Sequence, residues 1–295
     1  MARVLLTGSS GFLGKPIAAR LRAAGHTVLG VDPVRDADAA FEQITDDLSD
    51  GIRLGKIFAD FRPSHVLHTG GISGPMVFPD QPARVMAINV AGSLNVIQAA
   101  LQTDVSTLVY CSSIAAIGEY WEPLPIDDSY PMRPDSPYGC SKAAMDMVLR
   151  GLWGRTALDL CSLRFTAVYG PGRQTYHVIH DLVRAARSGE AVTVQDSTPA
   201  QLIYVDDAAD AAVAAAFSAN RRQLHYFIAH PEMVELAAAA HAVTEAIGPV
   251  TWSLDPALPR VRRGAMDLSA AARDFGFQAQ VGYREGIRRL AAHRG

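Results

Sequence analysis

The stretch VLLTGSSGFLGKPIAARL restricts the fold of this chain more than any other. Gly8, Gly11 and Gly14 recur every third residue, after an apolar run (3–8) and before a helical pattern (14–25) with Pro16 in its first turn and Gly25 at its end. Each glycine has its own physical reason: one makes a tight turn, one lets the backbone approach a pyrophosphate, and one permits close packing of helix on strand. The helix start then offers free N–H groups and the positive end of its dipole to phosphates. Asp32 closes the next strand pattern, where a carboxylate can hold the adenosine ribose hydroxyls and repel a 2′-phosphate. NAD is therefore favoured over NADP, which Arg35 keeps open as the lesser choice.

The same grammar continues downstream. Strand patterns at 26–32, 64–70, 106–113 and 158–165 are nearly all apolar, as expected of strands covered on both faces. They alternate with helical patterns at 54–61, 83–101 and 138–153, which predicts right-handed crossovers and a Rossmann-type, doubly wound parallel α/β sheet. After residue 173 the alternation loosens into a helix (175–188), short strands (191–194, 202–205), an alanine-rich helix (207–218), a strand (224–229), a helix (232–247) and a Pro-rich stretch (254–264). We therefore expect a dinucleotide-binding domain over 1–170, to which segments near 200–230 return, and a smaller C-terminal α/β substrate lobe over 171–295.

A net charge of −3, with acids and bases interspersed, gives neither the basic stripe of a nucleic-acid binder nor a polybasic membrane patch. The alanine run near residue 212 is interrupted by aspartates, so no membrane span is expected. Cys111, Cys140 and Cys161 lack CxxC spacing and read as reduced thiols of a cytoplasmic protein. His177, His180 and Asp181 share a helical turn without a further ligand at suitable spacing, so no metal site is expected. No G-x-S-x-G elbow supports a hydrolase.

The segment DSPYGCSKAAM places Tyr138 and Lys142 four residues apart, on one face at a helix start. A phenol is a poor proton carrier at neutral pH, and an adjacent ammonium is expected to lower its pKa by favouring the phenolate. Such a phenol can exchange a proton with an alcohol or carbonyl as hydride moves. Ser112 and Ser113 end a parallel strand, where ligands of such sheets gather.

These elements together resemble the extended short-chain dehydrogenase/reductases, the NAD-dependent epimerase/dehydratase family, along nearly the whole chain. TGSSGFLG resembles its glycine loop, DDLSD (46–50) its adenine-side acidic stretch, HTGG (68–71) its His-x-Ala-Ala strand end, NVAGSLNVIQAA (89–100) its asparagine-led helix, CSSIAAIG its serine strand and YGCSK its Tyr-x-x-x-Lys. LRFTAVYGPGR, IYVDDAADAA, DLSAAARDFGF and GYREGIRRL resemble its later signatures. The resemblance implies Tyr138 as acid/base, Lys142 as its partner and a ribose ligand, and Ser113 as the catalytic hydroxyl. It implies cofactor contacts from Gly8, Ser10, Gly11, Phe12, Leu13, Gly14 and Asp32, from Asp47, Leu48, Thr69, Gly70 and Asn89, and from Phe165 beside the nicotinamide. It also implies a homodimer packed through the helices at 83–101 and 138–153.

Departures from the pattern bear on substrate. Family members that act on nucleoside-diphosphate sugars hold the diphosphate partly with an asparagine and an arginine; Ala167 and Ala200, followed by Gln201, stand at those places. Alanines neither donate hydrogen bonds nor neutralise charge, although Arg164, Arg173 and Arg184 could compensate. Ile114 and Ala115 replace the acidic pair of the dehydratases, which argues against dehydration. The main expectation is an NAD-linked oxidoreductase of a secondary alcohol or ketone on a small polar substrate (free sugar, sugar acid or hydroxy acid), with Ser73, Ser113, Tyr138 and Arg173 in the pocket. The alternative is a nucleotide-sugar 4-epimerase with tightly bound NAD; a third reading is an inactive NAD-sensing protein.

Overall fold

In the computed structural model, which describes residues 1–293 apart from 121–124, 195–198, 256 and 258–262, most of the Pro-rich stretch 254–264 falls outside the described residues. In chain order the strands are β1 (Arg3–Thr7), β2 (Thr27–Asp32), β3 (Glu42–Thr45), β4 (His65–His68), β5 (Thr107–Ser113), β6 (Asp159–Phe165), β7 (Ala167–Tyr169), β8 (Val192–Val194), β9 (Ala200–Tyr204), β10 (His225–Ile228), β11 (Met233–Val234) and β12 (Trp252–Leu254). The helices are α1 (Gly14–Ala23), α2 (Gly51–Phe61), α3 (Pro82–Met86), α4 (Gly92–Leu101), α5 (Pro137–Leu152), α6 (Val178–Ser188), α7 (Val205–Phe217), α8 (Leu236–Ala246), α9 (Ser269–Phe275) and α10 (Tyr283–Ala292).

Seven strands form one sheet in the order β10-β6-β5-β4-β1-β2-β3, every pair parallel. The chain leaves β1 toward β2 and β3 on one side and toward β4, β5 and β6 on the other. This reversal opens a crevice at the carboxyl ends of β1 and β4, the usual ligand position in an open parallel sheet. Both sheet faces are covered, which is why the strands read as apolar runs. Ile17 and Leu21 of α1 pack there with Ala208 and Ala212 of α7. Leu54 and Phe58 of α2, Val96 of α4 and Met145 of α5 cover the other face.

Local sequence explains the helix starts nearest the crevice. Asp50 caps α2 by accepting from the N–H groups of Ile52 (2.9 Å) and Arg53 (3.0 Å). Ser136 caps α5 through Gly139 N–H at 3.2 Å, and Pro137 occupies its first position. The helix expected over 83–101 runs from Pro82 to Leu101 with a π-helical turn at Ala87–Ala91. By length and composition alone it could cross a bilayer, a test that a buried core helix passes equally well. Here it packs against α2 and α5 and buries Val85, Asn89, Ser93 and Val96.

Four strands were not expected: β3, β7, β11, which takes residues of the helix expected at 232–247, and β12, which pairs with β8. β3 (EQIT) is a half-polar edge strand paired only to β2, so it lacks the apolar signature of its neighbours. β7 is a three-residue strand paired to β9 in a small separate sheet with β11. A third core lies around Tyr169, Leu182, Tyr204, Leu236 and Ile287, joining α6, α8 and α10 to that sheet. Between these elements β10 returns to the main sheet beside β6.

Candidate functional site

A cleft of about 920 Å³ runs from the glycine loop, past Tyr138, to the first turn of α6 and the N-terminal half of α8. Gly8 has φ +69°, which lets the chain turn directly off β1. Gly11 N–H closes the turn on Gly8 O at 3.0 Å. A Cβ on Gly14 would stand 2.0 Å from Gly8 O, so this glycine lets the helix seat on the loop. A Cβ on Gly11 would meet only Gly8 O at 3.1 Å and Gly8 C at 4.0 Å, which leaves the cleft side open. No acid occupies the first turn of α1 and no side chain caps it. The loop thus has the features a pyrophosphate requires. Gly8, Gly11, Phe12 and Leu13 line the cleft, whereas Gly14 lies beneath the loop.

Asp32 lines the cleft at the end of β2, 9% exposed. Its carboxylate accepts from Ser10 N–H (3.0 Å) and Val34 N–H (2.9 Å), which fixes it and retains lone pairs for a ribose. Ser10 therefore acts through Asp32 and does not line the cleft; its hydroxyl accepts from Gln43. Asp47 and Leu48 line the cleft farther along. Leu48 takes φ +68° and donates its N–H to Asp46, itself held by Arg53 at 2.8 Å. Thr69 and Gly70 also line it, tied back to β1 by Thr69 Oγ1 to Thr7 O (2.8 Å) and Gly70 N–H to Thr7 Oγ1 (3.2 Å).

Asn89 does not line the cleft. It is buried away from the cleft, accepts from Ile72 N–H at 2.7 Å and donates to Ser141 Oγ at 2.9 Å. Asn89 thus joins the loop after β4 to α5. His68, the strand-end histidine, is likewise internal. It bridges Thr7 Oγ1 (2.6 Å) and Ser93 Oγ (2.8 Å), and burial drives its pKa down to about 3, so it is neutral.

Ser113, Tyr138 and Lys142 meet in the middle of the cleft. Ser113 ends β5 beside Phe165 of β6, and its hydroxyl lies near enough to the Tyr138 phenol to favour the phenolate. Lys142 Nζ donates to Cys111 O at 2.8 Å and lies 4.7 Å from the Tyr110 ring centroid. Burial lowers the Lys142 pKa to about 8. The expected acidification of Tyr138 by Lys142 is not what the structure gives. Burial dominates and pushes the phenol pKa up; the groups that oppose it are the Ser113 hydroxyl, the Arg173 cation and the Gly74 N–H. Lys142 Nζ sits 5.9 Å from the Tyr138 ring centroid, turned to the Cys111 carbonyl.

Ser73 lines the cleft from the loop after β4. Arg173 lines it opposite, with its guanidinium directed at the carbonyls of Val168 (2.7 Å), Tyr176 (3.1 Å) and Thr175 (3.3 Å). It therefore shapes its own loop while its charge acts on Tyr138. The other two arginines offered as compensation do not line the cleft. Arg164 is buried against Asp146 at 2.8 Å, and Arg184 is exposed and paired with Asp181 at 2.6 Å. Ala167 and Ala200 do line the cleft, and Gln201 is committed to Met266 N–H and the Pro231 carbonyl.

Ser112, offered beside Ser113, also lines the cleft, whereas sequence reasoning missed Tyr120, Tyr176, His177 and Arg263 as cleft-lining residues. His177 was visible as one of a histidine pair, but its use as a helix cap was not. Among the described residues no group of three or more His, Cys, Asp or Glu side chains converges as a metal site.

The model of the NAD dependent epimerase/dehydratase family matches residues 4–229. The UDP-glucose 4-epimerase of Mycolicibacterium smegmatis is 27% identical over 97% of this chain and 96% of its own length. The uronate dehydrogenase of Pseudomonas putida is 30% identical over 55% of this chain and 59% of its own. Among solved structures, the Thermus thermophilus UDP-glucose 4-epimerase in complex with NAD superposes with a TM-score of 0.86 at 30% identity, covering 99% of this chain and 98% of that one. The chain belongs to the NAD-dependent epimerase/dehydratase family.

Proposed function

We propose that the protein binds NAD and acts as a nucleotide-sugar 4-epimerase, oxidising and re-reducing one ring carbinol within the cleft. Full-length similarity to UDP-glucose 4-epimerases, in sequence and in fold, carries this reading. The glycine loop and the α1 N-terminus would hold the pyrophosphate, Asp32 and Lys142 the two riboses, and Asp47 and Leu48 the adenine side. When bound, the nicotinamide supplies the hydride acceptor and donor. Tyr138 takes the carbinol proton as hydride leaves and gives it back on return, with Ser113 orienting the same oxygen. Burial of Tyr138 keeps water from the reacting centre. The C-terminal lobe, residues 171–295, would hold the rest of the substrate.

A second reading rests on a specific observation: Ala167, Ala200 and the committed Gln201 offer a diphosphate no donor at the two positions where the sequence departs from the nucleotide-sugar pattern. The partial similarity to a uronate dehydrogenase points the same way, to net oxidation of a small sugar or sugar acid. One experiment separates the two. The purified protein is incubated with UDP-hexoses, free hexoses and uronic acids, with NAD, and both NADH absorbance and product stereochemistry are read. Epimer formation without net NADH supports the first reading; NADH accumulation on a free sugar acid and no UDP-sugar turnover would replace it with the second.

We also propose a cytoplasmic homodimer packed through α4 and α5, whose outward Leu94 and Met147 are exposed apolar side chains suited to a partner. Light scattering of the purified protein tests the dimer.

A further inference from the structure

Lys142 is a buried cation with little to hold it. It is 6% exposed and lines the cleft, yet among the described residues its ammonium has one hydrogen-bond partner, the neutral Cys111 carbonyl at 2.8 Å. A buried ammonium needs more than one carbonyl to stay charged. Asp146, one turn further along α5, is committed elsewhere: it accepts from Ser162 Oγ at 2.7 Å and from Arg164 Nε at 2.8 Å. The remaining neighbour is the Tyr110 ring. Lys142 Nζ lies over it, 4.7 Å from its centroid, whereas the Tyr138 ring is more distant at 5.9 Å. A cation within about 6 Å of a ring face is drawn to its negative quadrupole, most strongly where water is excluded. Tyr110 is 1% exposed; His68 tilts against its ring at 5.5 Å, and its hydroxyl lies near Ser93 of α4.

We propose that Tyr110 is a positioning residue: the face of its ring, together with the Cys111 carbonyl, holds the Lys142 ammonium charged in the wall of the cleft. The inference rests on the proposed function only in assigning a cofactor ribose to that ammonium. Both groups come from one strand. Successive side chains of β5 point to opposite faces of the sheet, so Tyr110 enters the core on the α4 and α5 side while Cys111 enters the core on the α1 and α7 side. Consecutive residues thus deliver a π face and a carbonyl to one Nζ. The titratable groups around it leave the ring contact decisive. Burial pushes the Cys111 thiol up to about 12 and raises the Tyr110 and Tyr138 phenols, so all three are neutral at physiological pH. His68, lowered to about 3 by burial, is neutral as well. Asp146 contributes negative charge, which it shares with Arg164. Burial still lowers the Lys142 pKa to about 8, so its charge stands close to its limit and a modest loss of attraction removes it.

A graded series separates this role from core packing. Tyr110→Phe keeps the ring and removes the hydroxyl, and mono-, di- and trifluorophenylalanine at position 110 keep nearly the same shape while draining the negative face step by step. Urea unfolding of each protein, with and without Lys142→Met, from about pH 6 to about pH 10 gives the pH at which Lys142 titrates in the fold. Calorimetry at the same pH values gives the NAD affinity. The folded Lys142 pKa lies below the unfolded one, so its penalty is complete below the folded value and is relieved as pH rises. We expect the midpoint to stay near wild type in Tyr110→Phe and to fall with each fluorine, by about one pH unit with trifluorophenylalanine. NAD affinity at about pH 7.5 should fall about threefold in that protein, following the charged fraction of Lys142, and recover at about pH 6. A midpoint that moves while NAD affinity stays constant at every pH leaves the role of Tyr110 standing and removes Lys142 as a ribose ligand. The inference is overturned if the midpoint is the same throughout the fluorinated series, or if Tyr110→Phe moves it as far as trifluorophenylalanine does.

Discussion

Replacing Gly11 and Gly14 by alanine, one at a time, separates a glycine that serves a ligand from one that serves the fold. At Gly14 the new Cβ would lie 2.0 Å from Gly8 O and 2.9 Å from Gly8 C and Ser9 Cα, all backbone atoms that cannot rotate aside. The loop or the helix must retreat by roughly an ångström, and overpacking of this kind costs about 1–3 kcal/mol. At roughly 2–4 °C per kcal/mol for a chain of this size, Gly14→Ala should melt several degrees lower. At Gly11 the Cβ would meet Gly8 O at 3.1 Å and little else. A shift of a few tenths of an ångström accommodates it, and reduced freedom of the unfolded chain offsets about 0.4–1 kcal/mol. Gly11→Ala should therefore melt near wild type. Its methyl group instead projects where a pyrophosphate must approach, and the loss of one charge-assisted bond, about 1.5–3 kcal/mol, predicts roughly a tenfold to two-hundredfold loss of NAD affinity. Melting curves with and without NAD read both quantities, because ligand stabilisation follows RT ln(1 + [L]/Kd). Wild-type NAD affinity in Gly11→Ala, or equal destabilisation by the two variants, would refute the assignment.

Three further outcomes can be measured. Tyr138→Phe should lower turnover by about 10²–10⁴-fold and leave NAD affinity within about threefold, and an active variant would remove the phenol from the mechanism. Lys142→Met should stabilise the ligand-free protein near pH 7 by up to about 3 kcal/mol, because the Lys142 pKa falls from 10.5 unfolded to about 8 folded. The sign follows from proton binding: between pH 8 and 10.5 the unfolded chain holds more protons, so this penalty, complete below pH 8, is relieved as pH rises. The difference between wild-type and variant stability should shrink over that window, and a pH-independent difference would contradict it. Asp146→Ala leaves Arg164, 1% exposed, without its carboxylate, and should cost about 3–5 kcal/mol in denaturant unfolding; a loss under about 1 kcal/mol would show the pair to be dispensable.

The sheet was legible because its strands are buried on both faces and its helices carry clear starts. Gly8, Gly14, Asp32, Tyr138 and Lys142 fall where their spacing places them, since each is set by local geometry within one strand, turn or helix. What sequence could not show is where side chains spend their hydrogen bonds. Asn89 matches a motif, yet its amide closes on Ile72 and Ser141, which are 17 and 52 residues away. Arg164 and Arg184 were offered as diphosphate contacts, but both have carboxylate partners off the cleft. β3 and β7 were hidden because an edge strand and a three-residue strand have little apolar periodicity to read.

The relation of Tyr138 to its cations is the deeper case. Four-residue spacing puts a phenol and an ammonium on one helix face, but a shared face does not fix the distance between the two polar ends. Lys142 bends toward the Cys111 carbonyl at the end of β5 and stays 5.9 Å from the Tyr138 ring centroid. Burial raises the phenol pKa and lowers that of the ammonium, so each is held toward its neutral form in the protein alone. The cation that does favour the phenolate is Arg173, from the loop after β7. A base built this way depends on both parts of the chain: α5 supplies the oxygen, and the segment leading into α6 supplies the charge. Loosening of the 173–177 loop should therefore weaken proton transfer as well as substrate binding, because the same arginine that organises that loop through three carbonyls also acts on the phenol.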